Sequence, residues 1–600
     1  MTEALPRRAN GWERGSELIA GVLVLTLVAP VGILIGLLHQ AFGGQPERAV
    51  GIIAAVLGLL VLMPPVAYLV ARRRNMVPST CAFIALTTVA VVLIAVYAFR
   101  VNDYIRFPAD FLIWSESDFV NDILKLRVGY PLYTVQANNE SFNYPPGSQI
   151  LTYLLAKLTG HATSIPVYRG IQVLYTLLAA GVAASCCRRL LLLAGVSRES
   201  QDRLPWMVLW LPVLFLIATN ALTNPFVHNL HNDALTQLVT VTAYWLLVEY
   251  ASARKKWAFA AMACVPALGF LIKQSLGIWA ILYCIYLALF DRPRSPRRLI
   301  GFALAAFGGI AVVAGAGYGL WHESFIYWTV TVIGSHPTSI LRSAQHLLDA
   351  WIYPTISLVA WRVLQSRGGG RLAGLWVVWL LLFAVEAYTS GIAWMMNHLG
   401  PGSLIAGVWF LAAVTLLWGG EGKPEGTGWR DWAHAGAVVA VGVLILGGLG
   451  TVRVPQPPLG EDAYRYKNEI EREFAGLPTD RVLLDVGTWV YLRDGVIMKD
   501  RAVPIGDRGL GGVADFSGIL ARLGGKRYSK ILVRRLHAAD LWYDSRMWSR
   551  SSGIRDAMLR NYQEVGTISK AFLEDGLSPD RPGPYTFDQI TILTPRPDAR

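Results

Sequence analysis

The sequence predicts a polytopic α-helical membrane protein with a small α/β domain at its C-terminal end, and three observations carry that prediction. Hydrophobic residues make up 54% of the 600-residue chain and charged residues only 16%, against about 25% charged in an average soluble protein. The mean hydropathy is +0.41. The apolar residues gather into stretches of about 20, the length a helix needs to cross a bilayer core of about 30 Å. These features exclude a soluble globular enzyme. They also exclude a disordered chain, because 21 Trp, 24 Tyr and 21 Phe do not stay solvated.

About thirteen such stretches can be placed, at 17–42, 48–71, 79–99, 165–187, 204–219, 231–250, 257–272, 274–290, 298–320, 346–365, 371–390, 398–418 and 433–451. The first is too long for a signal peptide and no small-residue cleavage site follows it. With the N-terminus in the cytoplasm, the inner connections hold 22 Lys and Arg, while the short outer ones hold Arg48, Lys273 and Arg342. Basic short loops stay on the cytoplasmic side, so the net charge of +13 reads as loop retention and not as nucleic-acid binding. An odd number of spans then leaves the C-terminus outside. Residues 1–451 form the membrane domain, with an outer loop at 100–163, and 452–600 form an extracytoplasmic domain; the expected location is the plasma (inner) membrane. Cys81, Cys186, Cys187, Cys264 and Cys284 lie in apolar stretches without metal-ligand spacing, and none is available to build a disulfide framework in the C-terminal half.

The outer loop is more than a connector. Phe119, Ile123 and Leu126 form one stripe at helical spacing and Asp118, Asp122 and Lys125 a second, so 115–127 reads as an amphipathic helix on the membrane surface. Ser115 with Asp118 resembles a capping box. The apolar stretch after Tyr144-Pro-Pro-Gly147 is about 14 residues, too short to span, and reads as a second surface helix. In the C-terminal part, Pro455-Gln-Pro-Pro458 marks a linker, and 23 basic face 20 acidic residues from 451 onward. Arg481-Val-Leu-Leu-Asp485 and Lys530-Ile-Leu-Val-Arg534 read as buried strands between helical patterns at 461–475 and 553–563.

Eight of the nine histidines before residue 452 fall on the outer side (His39, His161, His228, His231, His322, His336, His346 and His398). Ionisable residues at span ends mark substrate paths and active sites, so the chemistry is expected at the outer mouth of the bundle. Four outer segments stand out. Glu116 and Asp118, with Asp122 one turn on, suit a general base, a metal site or a solvated helix face. His228, His231 and Asp233 suit substrate hydroxyls, orientation of a base, a metal, or, through Asn232 or Asp233, a helix cap. Lys273-Gln274, at the tip of an apolar hairpin, suits an anion or a snorkelling lysine. His336, Arg342 and His346, with Asn397-His398, complete the set, Arg342 being a phosphate-binding candidate or an interfacial anchor. No Gly-rich phosphate loop, GxSxG elbow or HExxH is present.

In this order the motifs resemble a known group. An acidic pair in the first large outer loop, a helix ending Gly129-Tyr-Pro-Leu-Tyr133, Tyr144-Pro-Pro-Gly147, His231-Asn-Asp233 at a span start and Phe270-Leu-Ile-Lys-Gln274 look like the GT-C superfamily. These are polyprenyl-phosphate-sugar-dependent membrane glycosyltransferases, among them relatives of protein O-mannosyltransferases and aminoarabinose transferases. The resemblance implies a GT-C-like fold and transfer, with inversion, of a hexosyl or pentosyl group from a polyprenyl-phosphate donor to a glycan, lipid or protein acceptor. It also implies that Glu116 or Asp118 takes the acceptor's proton. Glu116 is favoured, at the start of the helix. Two departures stand against a close subfamily match: Ser117 separates the acids, and three spans precede the loop. No cofactor is specified, and the histidines leave a divalent cation open, as only some relatives use one. The rival readings are a transporter or permease, which needs ionisable residues mid-span and near both faces, and a non-enzymatic scaffold or sensor.

Overall fold

The computed structural model describes residues 90, 94, 97–98, 101–112, 116–197, 207–219, 226–368, 370–393, 396–418, 461–534, 536–537, 552–568 and 590–597. The spans expected at 17–42, 48–71 and 433–451, most of the one at 79–99, Ser115 and the linker at 455–458 lie outside the described residues.

The described residues of the membrane part are mainly helical. Helices α1 (Glu116–Val128) and α2 (Gly147–Leu158) lie in the loop at 100–163. The bundle follows with α3 (Ile165–Leu193), α4 (Met207–Ala218), α5 (Asp233–Ala253), α6 (Lys256–Ile272), α7 (Ile278–Leu289), α8 (Pro296–Ile326), α9 (Ile340–Asp349), α10 (Ile352–Gly368), α11 (Gly370–Ala393) and α12 (Gly400–Trp418). Four described helical stretches are long and apolar enough to cross a membrane, and α9 with α10 makes a fifth if the pair, bent by 59°, is one span. The span expected at 346–365 is therefore broken, with Ala350 and Trp351 at the break. Helices α6 and α7 are shorter than a full span.

Burial sorts these helices by what surrounds them. Helix α5 lies along α3, while α12 packs on α3, α4 and α10; Tyr244, Trp279, Trp379 and Trp409 are fully buried between such helices. Helix α8 instead exposes Leu304, Val312 and Leu320, each about 70% exposed. Apolar surface of that extent is stable only against lipid. Helix α2 is inside-out for the same reason. Ser148, Gln149 and Thr152 face inward, and Leu151, Leu154 and Leu158 face out. Its first residue needs the absence of a side chain, because a Cβ on Gly147 would lie 2.6 Å from the Leu271 carbonyl oxygen. This close approach brings the Tyr144-Pro-Pro-Gly147 turn against the end of α6, just before Lys273.

The C-terminal residues fold around a four-stranded sheet of β1 (Val482–Leu484), β2 (Lys530–Arg534), β3 (Tyr562–Ile568) and β4 (Ile590–Pro595), ordered β1-β2-β4-β3. Strands β1 and β2 are parallel, with Leu484 beside Leu532, and the other pairs are antiparallel. Ile531, Leu532 and Val533 are buried. Helices α13 (Glu461–Arg472), α14 (Trp489–Asp494), α15 (Ala502–Gly511), α16 (Ser517–Gly524) and α17 (Ile554–Asn561) accompany the sheet.

This unit is seated on the 100–163 loop by polar contacts. The N–H of Thr488 donates to both carboxylate oxygens of Asp110 at 2.8 Å and that of Trp489 to one of them at 3.0 Å. Asn139 Nδ2 donates to Asp500 Oδ1 at 2.8 Å, and Arg127 to the Leu492 carbonyl at 2.6 Å. Burial holds the Asp110 carboxyl at about 6, above the usual carboxylate range. The two N–H donors compensate part of that desolvation.

Candidate functional site

A solvated helix face is one of the readings that periodicity allows for Asp118, Asp122 and Lys125 on α1. The structure rules it out: all three are buried, as are Glu116 and Asn121. The C-terminal unit and the 130–144 segment cover the face that periodicity alone assigns to solvent. Lys125 is satisfied there by Asp122 Oδ1 at 3.2 Å, the Leu132 carbonyl at 3.0 Å and the Glu140 carbonyl. Asp122 also accepts from Gln149 Nε2 at 3.1 Å. Its place is structural, a tie between α1 and α2.

The two acids differ sharply in what surrounds them. Glu116 is closed: Arg169 of α3 donates to its two oxygens at 2.8 and 2.5 Å, and the Leu230 N–H adds a third bond at 3.0 Å. Arg169 is itself fully satisfied, giving its other N–H groups to the carbonyls of Tyr104, Phe107 and Ala109 at 2.7–2.8 Å. Asp118, by contrast, has Oδ1 3.7 Å from Arg501 Nε, while its Oδ2 is buried with no hydrogen-bond partner among the described residues. Burial, opposed by Arg501 and reinforced by Asp507, holds its carboxyl at about 7.

A second centre forms around Asp233. Lys273 Nζ donates to Oδ1 at 3.0 Å, Asn397 Nδ2 donates to Oδ2, and His231 Nδ1 lies 3.3 Å from Oδ2. Neither helix-cap contact nor snorkelling describes these residues. The Asn232 side chain caps nothing, and Lys273 is 5% exposed. The Lys273 ammonium also lies 5.8 Å from the centre of the Tyr144 ring. Asp233, Lys273, Glu386, Thr389, Asn397 and His398 line a cavity of about 40 Å³, room for a few water molecules. His398 Nδ1 lies 3.1 Å from Thr389 Oγ1, and Glu386 accepts from the Gly402 N–H at 2.9 Å.

Aromatic packing joins the two centres. The Phe119 ring lies 4.9 Å from His231 and 6.1 Å from Tyr144, centroid to centroid. The C-terminal unit closes the ring of contacts: Asn143 Nδ2 donates to Asp507 Oδ2 at 2.7 Å. Burial holds the Asp507 carboxyl at about 7 as well, with this bond pulling the other way.

The remaining expected residues lie elsewhere or act as ties. Gln274 Nε2 donates to the carbonyls of Asn143 and Thr329 at 2.8 Å, which fixes the hairpin tip to the loop. His228 packs edge-on to Tyr104, and neither of its ring nitrogens has a partner among the described residues. His336 Nε2 lies 3.1 Å from the Asp507 carbonyl, and His346 Nδ1 lies 3.0 Å from Ser390 Oγ. Arg342 sits in the first turn of α9 and does not line the cavity at Lys273. Among the described residues, no three His, Cys, Asp or Glu side chains come together as metal ligands. The sequence reading passed over Arg169 and Glu386, although a charged residue inside an apolar span is a signal in its own right. Arg501 and Asp507 carried no comparable signal.

No protein-family model and no curated protein sequence matches the chain. Among solved structures it is similar to the crystal structure of ArnT from Cupriavidus metallidurans bound to undecaprenyl phosphate. The identity is 13%, the match covers 84% of this chain and 97% of that one, and the TM-score is 0.47. It is also similar to the apo oligosaccharyltransferase of Archaeoglobus fulgidus, at 10% identity over 86% of this chain and 76% of that one, with a TM-score of 0.47.

Proposed function

We propose that this chain is a membrane glycosyltransferase of the GT-C type, moving a sugar from a polyprenyl-phosphate donor to an acceptor hydroxyl at the outer face of the membrane. The observation that carries the reading is the open oxygen of Asp118, on the helix whose next residue, Phe119, packs on His231 of the Asp233–Lys273 centre. A buried carboxylate with an unpartnered oxygen is poised to accept a proton, and a carboxyl held near 7 is matched to neutral-pH general base catalysis. Asp118 therefore replaces Glu116 as the favoured base. Glu116, bound at both oxygens, organises the loop instead.

In the proposed reaction, Asp118 Oδ2 takes the proton of the acceptor hydroxyl as its oxygen attacks the anomeric carbon. The bond from that carbon to the phosphate oxygen breaks, and its electron pair leaves with the lipid phosphate. Lys273 has three donors and gives one to Asp233, so its remaining N–H groups can meet the phosphate charge. Asn397 and His231 hold Asp233, and Asp233 holds Lys273. His398 lines the cavity and the Tyr144 ring lies 5.8 Å from Lys273 Nζ, which supports a binding role for both. The cavity must widen to admit a sugar.

The transporter reading needs a polar path to both faces. Among the described residues, the acidic groups at the opposite ends of the helices are engaged in ion pairs. Glu249 there is paired with Arg189 and Lys255, and Asp291 with Arg254 and Arg298. Glu249 lies 16 residues beyond Asp233 on α5, about 24 Å along the helix. Membranes containing the chain, supplied with labelled polyprenyl-phosphate sugars, should move label to an acceptor. If none of a panel of such donors loses its label, the transferase reading fails.

A further inference from the structure

Arg501 belongs to the C-terminal unit but faces the loop acid. Its backbone N–H donates to the Asn139 carbonyl at 3.1 Å, which sets it against the outer loop, and it is 3% exposed. Its guanidinium approaches Asp118 at 3.7 Å, beyond hydrogen-bond reach. Its Nε and Nη1 have no hydrogen-bond partner among the described residues, and neither does Asp118 Oδ2. Unmade hydrogen bonds on a buried charged group are costly, and here they occur on both sides of one pair.

The other groups around Asp118 do not supply a free counter-charge. Lys125, on the same helix, is occupied by Asp122 and two carbonyls. Asp122 and Asp507 are acidic and oppose ionisation of Asp118. Resting on the transferase reading, we propose that Arg501 is a positioning residue for the Asp118 base, so that docking of the C-terminal unit completes the catalytic centre. The unit thereby acts in the reaction and is more than an appendage on the outer face.

The loss of Arg501 should leave burial and the Asp507 and Asp122 charges opposed by Lys125 alone. An opposite charge at this range lowers a carboxyl pKa by about 1–3 units, so its removal raises the midpoint by that amount. The test uses the full chain in lipid nanodiscs, with two variants. The Asp118 carboxyl band is followed by infrared spectroscopy as a function of pH, assigned by its disappearance in D118N, and sugar transfer is measured over the same range.

In R501Q the infrared midpoint and the acid limb of transfer are expected to move together to higher pH, by about 1–3 units, with transfer recovering as the pH is raised. R501K keeps the charge and is expected to hold the midpoint at its wild-type position while the plateau rate falls, because an ammonium lacks the planar fork. A midpoint unmoved in R501Q, or one displaced upward in R501K, overturns the inference. The infrared midpoint is read without turnover. Absence of transfer by the wild-type chain therefore counts against the transferase reading, and an unmoved midpoint counts against the role of Arg501.

Discussion

Phe119 and His231 meet with their ring centroids 4.9 Å apart, and this contact couples the loop acid to the cationic centre. Phe119 follows Asp118 on α1, while His231 lies 3.3 Å from Asp233. In the proposed transfer the base acts on the attacking hydroxyl and the cation on the departing phosphate, on either side of the anomeric carbon, so their elements need a fixed separation. The aromatic contact among Phe119, Tyr144 and His231 provides it without a covalent link.

K273A is expected to weaken use of the donor about tenfold to a hundredfold, the worth of about 1.5–3 kcal/mol for a charge-assisted hydrogen bond. Because Lys273 is paired with Asp233, D233N should also weaken it, and the double variant should lose less than the two single losses combined. Donor-concentration dependence of the three variants checks this. Full additivity would show that the pair does not act as one unit.

R169M is expected to reduce the yield and the apparent melting temperature of the extracted protein severely. Breaking a buried ion pair by removing one partner costs about 3–5 kcal/mol, and here three loop carbonyls also lose their donors. Thermal aggregation of purified wild type and variant in detergent makes the comparison. A variant as stable as wild type would remove Arg169 from the architecture of the loop.

Much of this was legible in the sequence, for identifiable reasons. The apolar stretches revealed the helices because a lipid-facing helix such as α8 has no polar face to confuse the count. Asp233, Lys273, Asn397 and His398 could be picked out because polar residues at span ends are costly unless used. Their convergence on one cavity could not be read, since it depends on how α5, α6 and α12 pack. The burial of Asp118, Asp122 and Lys125 was misread because helical periodicity separates polar from apolar faces but does not say what covers the polar one. Arg501 and Asp507 were invisible for a related reason. An arginine in a soluble α/β unit looks like any surface cation until the unit is placed on the loop.

Transfer by wild-type protein is expected to fall as the pH drops through about 7. Asp118 is held up at that value by burial, it accepts a proton only in its ionised form, and that form is present above the midpoint and lost below it. The pH dependence of transfer at low donor concentration checks the limb. A rate that stays flat down to pH values near the ordinary carboxylate range, about 4, would mean that Asp118 is not the titrating base.

A reporter that works only outside the cytoplasm is expected to be active when fused after residue 600 and silent when inserted in the loop at 420–432. The motivation is the ratio of 22 basic residues in the inner connections to three in the short outer ones. Activity at the loop insertion and silence at the C-terminus would turn the whole site to the other face.

The central claim is that Asp118, and not Glu116, is the base, and the most direct measurement is single-turnover transfer from a saturating lipid-phosphate donor by D118N. The amide keeps the size of the side chain but cannot accept the proton. The account predicts a rate reduced by about 10²–10⁴-fold with donor binding retained. Transfer by D118N at the wild-type rate would contradict it.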